Sequence, residues 1–230
     1  MNENKVELLG YYGGDLEHAC SAWTSTSRNL SEEKKARIPK LLKMLAEAGH
    51  HSPFEKSSIH FLIDTDIASH IHILKHRIGV PVNAESARYK ELKEDKYYLP
   101  NDWKNINNSE RISAFCGYDY EHYKEGEVDW VYLLEKYTKI GNELYHQCIK
   151  DLEPILGRKR AKESARFFKT YNSQIQADVM FNWRSFAHFL SLRKKPDAQK
   201  EIREIAEKML ELVKGIEDNP FKHTIEAFGY

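Results

Sequence analysis

The sequence is short of cysteine, of net charge and of long apolar runs. Three of its 230 residues are cysteine. Cys20, Cys116 and Cys148 are odd in number, far apart and without CxxC spacing, which argues against a disulfide framework or a cysteine-rich zinc site. All three read as small buried residues. Lys+Arg and Asp+Glu balance at 35 each, so the chain lacks the basic excess that nonspecific nucleic-acid binding draws on. No apolar run approaches the roughly 18 residues of a membrane span. The opening MNENKVELLGYYGG has no signal-peptide core. These absences predict a cytoplasmic protein with neither a nucleic-acid nor a membrane partner.

What is present is a globular composition, 41% apolar and 30% charged, long enough to bury a substantial core. With no repeat, low-complexity tract or linker, one domain over 1–230 is expected. KVELL (5–9) reads as a strand. A helix should start after Ser31, an N-cap followed by Glu32 and Glu33, and end at Gly49. Ile59, Phe61 and Ile63 alternate as a strand does. Ile67, Ile71, Leu74 and Ile78 then recur at helical spacing, on a helix ended by Gly79 and Pro81. Residues 93–130 read as irregular surface structure. Helices are expected at about 129–150, 160–180, 182–192 and 197–214. Helices with a few strands in no βαβ order imply an α+β fold, a mixed sheet flanked by helices.

Eleven histidines are many for this length. His72 and His76 stand four apart, a spacing that can hold zinc, but 72–76 reads HILKH and lacks the HExxH pattern. At about 100° per residue both face away from the Ile67/Ile71/Leu74/Ile78 stripe. They are either solvated or line a ligand site, and Lys75 and Arg77 beside a Gly-Pro turn favour the ligand site. No metal is expected.

Three segments carry candidate chemistry. KHRIGVPVNAESARY (75–89) gathers Lys75, His76, Arg77 and Arg88 around a loop with Asn83, Glu85 and Ser86, a cationic and hydroxyl-bearing setting for a phosphate or an anionic ring. HHSPFE spans 50–55. NWRSFAHFLSLR (182–193) sets Asn182, Arg184, His188 and Arg193 among apolar helix positions, where an arginine either snorkels or clamps an anion.

Together these segments resemble the motifs of the flavin-dependent thymidylate synthases. The first is similar to the family's RHR…S-x-R-Y signature, the second to H-x-[ST]-P-F-E, and the third, with DAQKEIREIA after it, to N-x-R-S-x-x-x-F-L-x-L-R…A-Q-x-E-I-R. They occur in family order and cover about 50–206. The sequence departs from the pattern in four places. Lys75 stands for the usual arginine, His72 for a common glutamine, and Asp197 where histidine can occur. Eight residues rather than seven separate Arg77 from Ser86, with Pro81 among them.

The resemblance implies the family's α+β fold and a homotetramer with active sites at subunit interfaces. It implies FAD as cofactor, dUMP and methylenetetrahydrofolate as substrates, and NADPH as reductant. Ser52, Glu55, Lys75, His76, Arg77, Ile78, Asn182, Arg184 and His188 would contact FAD. His72, Glu85, Ser86, Ala87, Arg88 and Arg166 would serve dUMP, with Ser86 and Arg88 at its phosphate. Arg193 would grip the uracil ring and carry the catalysis, with no enzyme nucleophile. Three rivals remain: a relative acting on another pyrimidine nucleotide such as dCMP, a non-catalytic flavin- or nucleotide-binding protein, and a histidine-based metal hydrolase.

Overall fold

The structure is a computed structural model, and it describes residues 3–27, 29–104, 106 and 129–230. Strands β1 (Lys5–Tyr12), β2 (Ser58–Asp66), β3 (Val82–Ala84) and β4 (Gln174–Phe181) form a four-stranded sheet in the order β1-β2-β4-β3. Helices α1 (Asp15–Trp23), α2 (Glu32–Ala36), α3 (Ile38–Glu47) and α4 (Ile67–Leu74) lie in the first part of the chain. After them come α5 (Trp130–Leu156), α6 (Arg158–Ala165), α7 (Trp183–Arg193), α8 (Lys200–Lys214) and α9 (Lys222–Ala227). The expected α+β class is observed. Among the described residues no helix is long and apolar enough to cross a membrane.

The chain divides into two compact units. One comprises Asn4–Asp64, Ser69–Ala84 and Gln176–Tyr230 and holds most of the sheet with α1–α3 and α7–α9. The other comprises Met1–Glu3, Thr65–Ala68 and Glu85–Ile175 and holds α5 and α6.

Within the sheet unit, period-2 patterning sets the core. Ile59, Phe61 and Ile63 of β2 and Ala177, Val179 and Phe181 of β4 are fully buried, with their neighbours on the other face. β1 pairs antiparallel with β2 through a register shift between Leu8 and Gly10, and β3 pairs antiparallel with β4. Between β2 and β4, His60 meets Asp178 at 2.5 Å while Asp64 meets Gln176 at 3.2 Å. Partner numbers fall along β4 as they rise along β2, so this pair is antiparallel too. The sheet is therefore antiparallel where a mixed one was expected: β2 and β3, joined through α4, run the same way, but β4 lies between them, so every bonded pair of strands is antiparallel.

Two expectations about elements are corrected. A helix over 160–180 gives way to α6, a short 3-10 turn and β4. The alternation Ile175, Ala177, Val179, Phe181 is a strand pattern, and the sheet overrides the helical reading. The helix after Ser31 breaks at Arg37 into α2 and α3, with Ser31 Oγ accepting from Lys34 N at 3.3 Å as the expected cap. Cys20 and Cys148 are free and half-buried rather than fully buried. Cys116 and most of the 93–130 segment lie outside the described residues.

One buried polar chain ties α1, α9 and the start of α7 together. Thr224 Oγ1 donates to Asp15 Oδ1 at 2.6 Å, which uses its one hydrogen. At 3.0 Å from His18 Nδ1 it must therefore accept, so His18 is the Nδ1–H tautomer. His18 Nε2 then accepts from Ser57 Oγ at 2.9 Å, and Ser57 Oγ accepts from Trp183 N at 3.3 Å. His18 has no exposed surface, and burial lowers its pKa to about 4.

A neutral buried histidine makes the fold acid-sensitive. Its contribution is complete above the ordinary value of 6.5 and is lost as pH falls toward about 4. Between pH 7.5 and 5, wild type should lose about 2 kcal/mol more stability than His18→Gln, at 1.36 kcal/mol per pKa unit. Urea unfolding at the two pH values tests this. Equal losses in the two proteins would contradict a neutral buried His18.

Candidate active site

The site is built in the sheet unit, where the turn after α4 meets the N-terminus of α7. Helix α4 ends at Leu74, and His76 N closes the turn on Ile73 O at 3.0 Å. The face of this segment is the reverse of the one expected. Ile71, Leu74 and Ile78 are exposed, Ile78 by 85%, while Ile73 and His76 are buried. The helix stops before Ile78, so the periodicity does not carry through the turn. What covers the exposed stripe is not the core of this unit.

Gly79 makes the junction possible. It has φ +67°, and a Cβ there would fall 2.5 Å from Asn182 Nδ2 and 2.7 Å from Ser185 Oγ. Asn182 caps α7, its Oδ1 accepting from Ser185 N at 2.8 Å. Ser185 Oγ donates to Ile78 O at 2.6 Å. The first turn of α7 thus grips the 76–79 turn, and two segments separated by about a hundred residues share one surface.

That surface lines a cavity of about 870 Å³, within the roughly 300–1,000 Å³ of small-molecule and cofactor sites. Its lining includes Lys75, His76, Arg77, Ile78, Arg184, His188 and Arg193, seven of the residues singled out in the sequence. Four of these are cations, and no Asp or Glu is among the lining residues. In a chain of zero formal net charge this is a local concentration of positive potential suited to a phosphate-bearing ligand.

Inside the cavity the donors are ordered. Arg193 Nε donates to His76 Nε2 at 3.1 Å, and Arg193 Nη2 reaches His72 O at 3.4 Å. His76 is therefore neutral, with its proton on Nδ1. Burial lowers its pKa to about 4, helped by the Arg193 guanidinium and by His188 and His72. Burial also lowers the pKa of Arg193. His76 lies edge-on to Phe189, with ring centroids 5.0 Å apart. His72 Nε2 contacts Gln199 Oε1 at 3.1 Å.

The remaining predicted residues fall in three places. Ser52 and Glu55 sit on a 3-10 turn, Ser52–Glu55, with Pro53 and Phe54 buried beneath. Glu55 forms an ion pair with Arg184. Glu85, Ser86, Ala87 and Arg88 follow β3 in the other unit, where Lys90 donates to Glu85 at 2.6 Å and Arg88 Nε to Glu163 at 2.6 Å. Ser86 Oγ accepts from Arg88 N at 3.3 Å. Arg166 is exposed on a 3-10 turn, Arg166–Phe168, in that same unit. Among the described residues, no cluster of three or more His, Cys, Asp or Glu is placed to hold a metal. Sequence reasoning missed His51, Ser191, Phe228 and Tyr230 in the cavity lining. Phe228 and Tyr230 belong to no motif and reach the site only through the packing of α9.

An α+β enzyme scaffold with a cationic cofactor-sized cavity is the class this geometry defines. Residues 7–217 match the family model described as thymidylate synthase complementing protein. The chain is 30% identical over 216 residues to a flavin-dependent thymidylate synthase of Pseudothermotoga lettingae, covering 94% of this chain and 87% of that one. It is 29% identical over 224 residues to the enzyme of that name from Rickettsia conorii, covering 91% and 71%. A crystal structure of the UMP/dUMP methylase PolB from Streptomyces cacaoi bound with 5-Br dUMP superposes with a TM-score of 0.74 at 26% identity, covering 99% of this chain and 95% of that one. The same enzyme bound with 5-Br UMP gives 0.73 at 25% identity, covering 99% and 94%. The chain belongs to the flavin-dependent thymidylate synthase family.

The Arg193–His76 geometry has a spectroscopic signature. In ¹⁵N NMR, His76 should show the Nδ1–H tautomer and remain neutral down to about pH 5, since its pKa is lowered to about 4. An Nε2–H tautomer, or titration near 6.5, would show that Arg193 does not donate to it.

Proposed function

We propose that the protein converts dUMP to dTMP, with FAD as cofactor, methylenetetrahydrofolate as carbon donor and NADPH as reductant. The observation that carries this reading is the cavity that joins the 75–78 turn to α7, with Lys75, Arg77, Arg184 and Arg193 and no Asp or Glu side chain among its described lining residues, Arg184 being paired with Glu55 at its edge. Its size and charge fit a dinucleotide cofactor with a pyrophosphate. Bound FAD supplies hydride chemistry, which the protein orients.

The residues then have separable tasks. Lys75, Arg77 and Arg184 offer charge-assisted donors to phosphate oxygens. Asn182, His188, Ile78, Ser52 and Glu55 shape the cavity around the cofactor. Ser86 and Arg88 bind the dUMP phosphate, with Glu85, Ala87, His72 and Arg166 completing the nucleotide contacts. Arg193, a permanent cation held in place by neutral His76, polarises the uracil ring as electron density shifts within it. No cysteine is assigned a nucleophilic role. The active form is a homotetramer with shared sites. Its support is the apolar surface left outward by Ile71, Leu74 and Ile78, and separately by Phe167, which is 82% exposed.

A second reading concerns the sugar. The Streptomyces cacaoi neighbour is a UMP/dUMP methylase, and the Arg77–Ser86 loop carries an extra residue and Pro81. This chain accepting UMP as well as dUMP is therefore worth a direct competition assay.

Two arginine variants test the assignment. Arg88 should hold a phosphate whose charge does not change in the reaction, so Arg88→Ala should mainly raise KM for dUMP. A charged contact of about 1.5–3 kcal/mol corresponds to roughly ten- to a hundredfold. Arg193→Ala should instead cut kcat more than it weakens dUMP binding, with FAD retained in both variants. Steady-state dTMP formation, with dUMP affinity measured separately by flavin spectral shift, reads both. If Arg193→Ala changes only KM while Arg88→Ala abolishes kcat, the roles are wrong.

A further inference from the structure

The cavity has a wall that lies beyond the span matched by the family model. That span ends at residue 217, yet Phe228 and Tyr230 line the same cavity as the cations, together with His51. We propose that Phe228 and Tyr230 are binding residues that stack on a planar heteroaromatic ring of the bound flavin nucleotide. This rests on the flavin reading of the cavity.

Three observations support it. First, the rings are held in place before any ligand arrives. Tyr230 OH donates to Ala187 O at 3.0 Å, and Tyr230 N bonds to Ile225 O at 3.1 Å. Phe228 packs edge-on against Phe54 with centroids 4.8 Å apart, and against Trp183 at 6.0 Å. Second, the segment is anchored in the buried polar chain. Thr224 N donates to Asp15 Oδ1 at 2.8 Å and His223 N to Asp15 Oδ2 at 2.8 Å, in addition to the His18 bond. A surface tail has no need of that many buried partners, whereas a wall that must not move does.

Third, the chemistry is complementary. The motif residues bring charge and hydrogen bonding but little flat apolar surface, because Phe186 and Phe189 are buried in the core. A flavin dinucleotide carries two planar rings as well as its pyrophosphate. Phe228 and Tyr230 are both half-buried, so each ring is partly covered and still has accessible surface. Aromatic side chains of this kind bind rings by stacking at little entropic cost when their rotamers are already fixed. The Lys194 ammonium lies over the Tyr230 ring, 5.5 Å from its centroid, a cation–π contact that further fixes the ring and places positive charge near it.

The test titrates full-length apoprotein with FAD and with FMN, following flavin fluorescence. Tyr230→Ala should raise the Kd for FAD by roughly fivefold or more, while Tyr230→Phe, which keeps the ring, should stay near wild type. Phe228→Leu is the second variant, should Tyr230→Ala fail to fold. Equal weakening of FAD and FMN places the isoalloxazine on this wall, and weakening of FAD alone places the adenine there; both uphold the proposal. Folded Tyr230→Ala and Phe228→Leu proteins that bind FAD as wild type does would overturn it. Wild-type protein that binds neither nucleotide would overturn the flavin site itself, and this assignment with it.

Discussion

The close approach of Gly79 to the first turn of α7 is the constraint on which the site depends. No side chain fits at Gly79, because Asn182 and Ser185 occupy the space a Cβ would take. In return Ser185 Oγ holds Ile78 O, and Asn182 caps the helix. That contact brings Lys75, His76 and Arg77 to the same cavity as Arg184, His188 and Arg193. Without it, two cationic segments would each be a solvated surface.

Electrostatics within the cavity follow from the same placement. Packing His76 under Arg193 removes it from water, and burial is the largest cause of its lowered pKa. Remaining neutral, it accepts from Arg193 rather than repelling it. A second buried histidine, His18, is also kept neutral near the start of α7, where it relays hydrogen bonds from Asp15 and Thr224 to Ser57. Both are neutral imidazoles whose tautomer is set by a neighbour, for His76 by the Arg193 donor and for His18 by Thr224, which must accept because its hydrogen goes to Asp15.

Much of this was legible in the sequence, and the rest was hidden for identifiable reasons. The β2 alternation, the Ser31 cap and the helix expected over 197–214 are local patterns, and the structure keeps them. The 75–78 and 182–193 motifs pointed to residues that do meet in one cavity. The strand over Gln174–Phe181 was misread, because short apolar runs fit a helix or a strand until a sheet partner decides. The α4 stripe has the helical periodicity of a buried face, but the helix ends before Ile78, and Ile71, Leu74 and Ile78 are exposed. His76 moved the other way, into the core-side wall. Phe228 and Tyr230 were invisible, since only packing brings them to α7. The relay through His18 was equally hidden, since its partners lie 39 and 206 residues away.

If FAD occupies the proposed cavity between the 75–80 turn, α7 and the 228–230 segment, it must protect those three segments from solvent. Hydrogen exchange of the apoprotein and the FAD-loaded protein tests it most directly. FAD should slow exchange in peptides covering 75–80, 182–188 and 228–230, all in the sheet unit. Protection confined to other segments, or none on saturation with FAD, would contradict it.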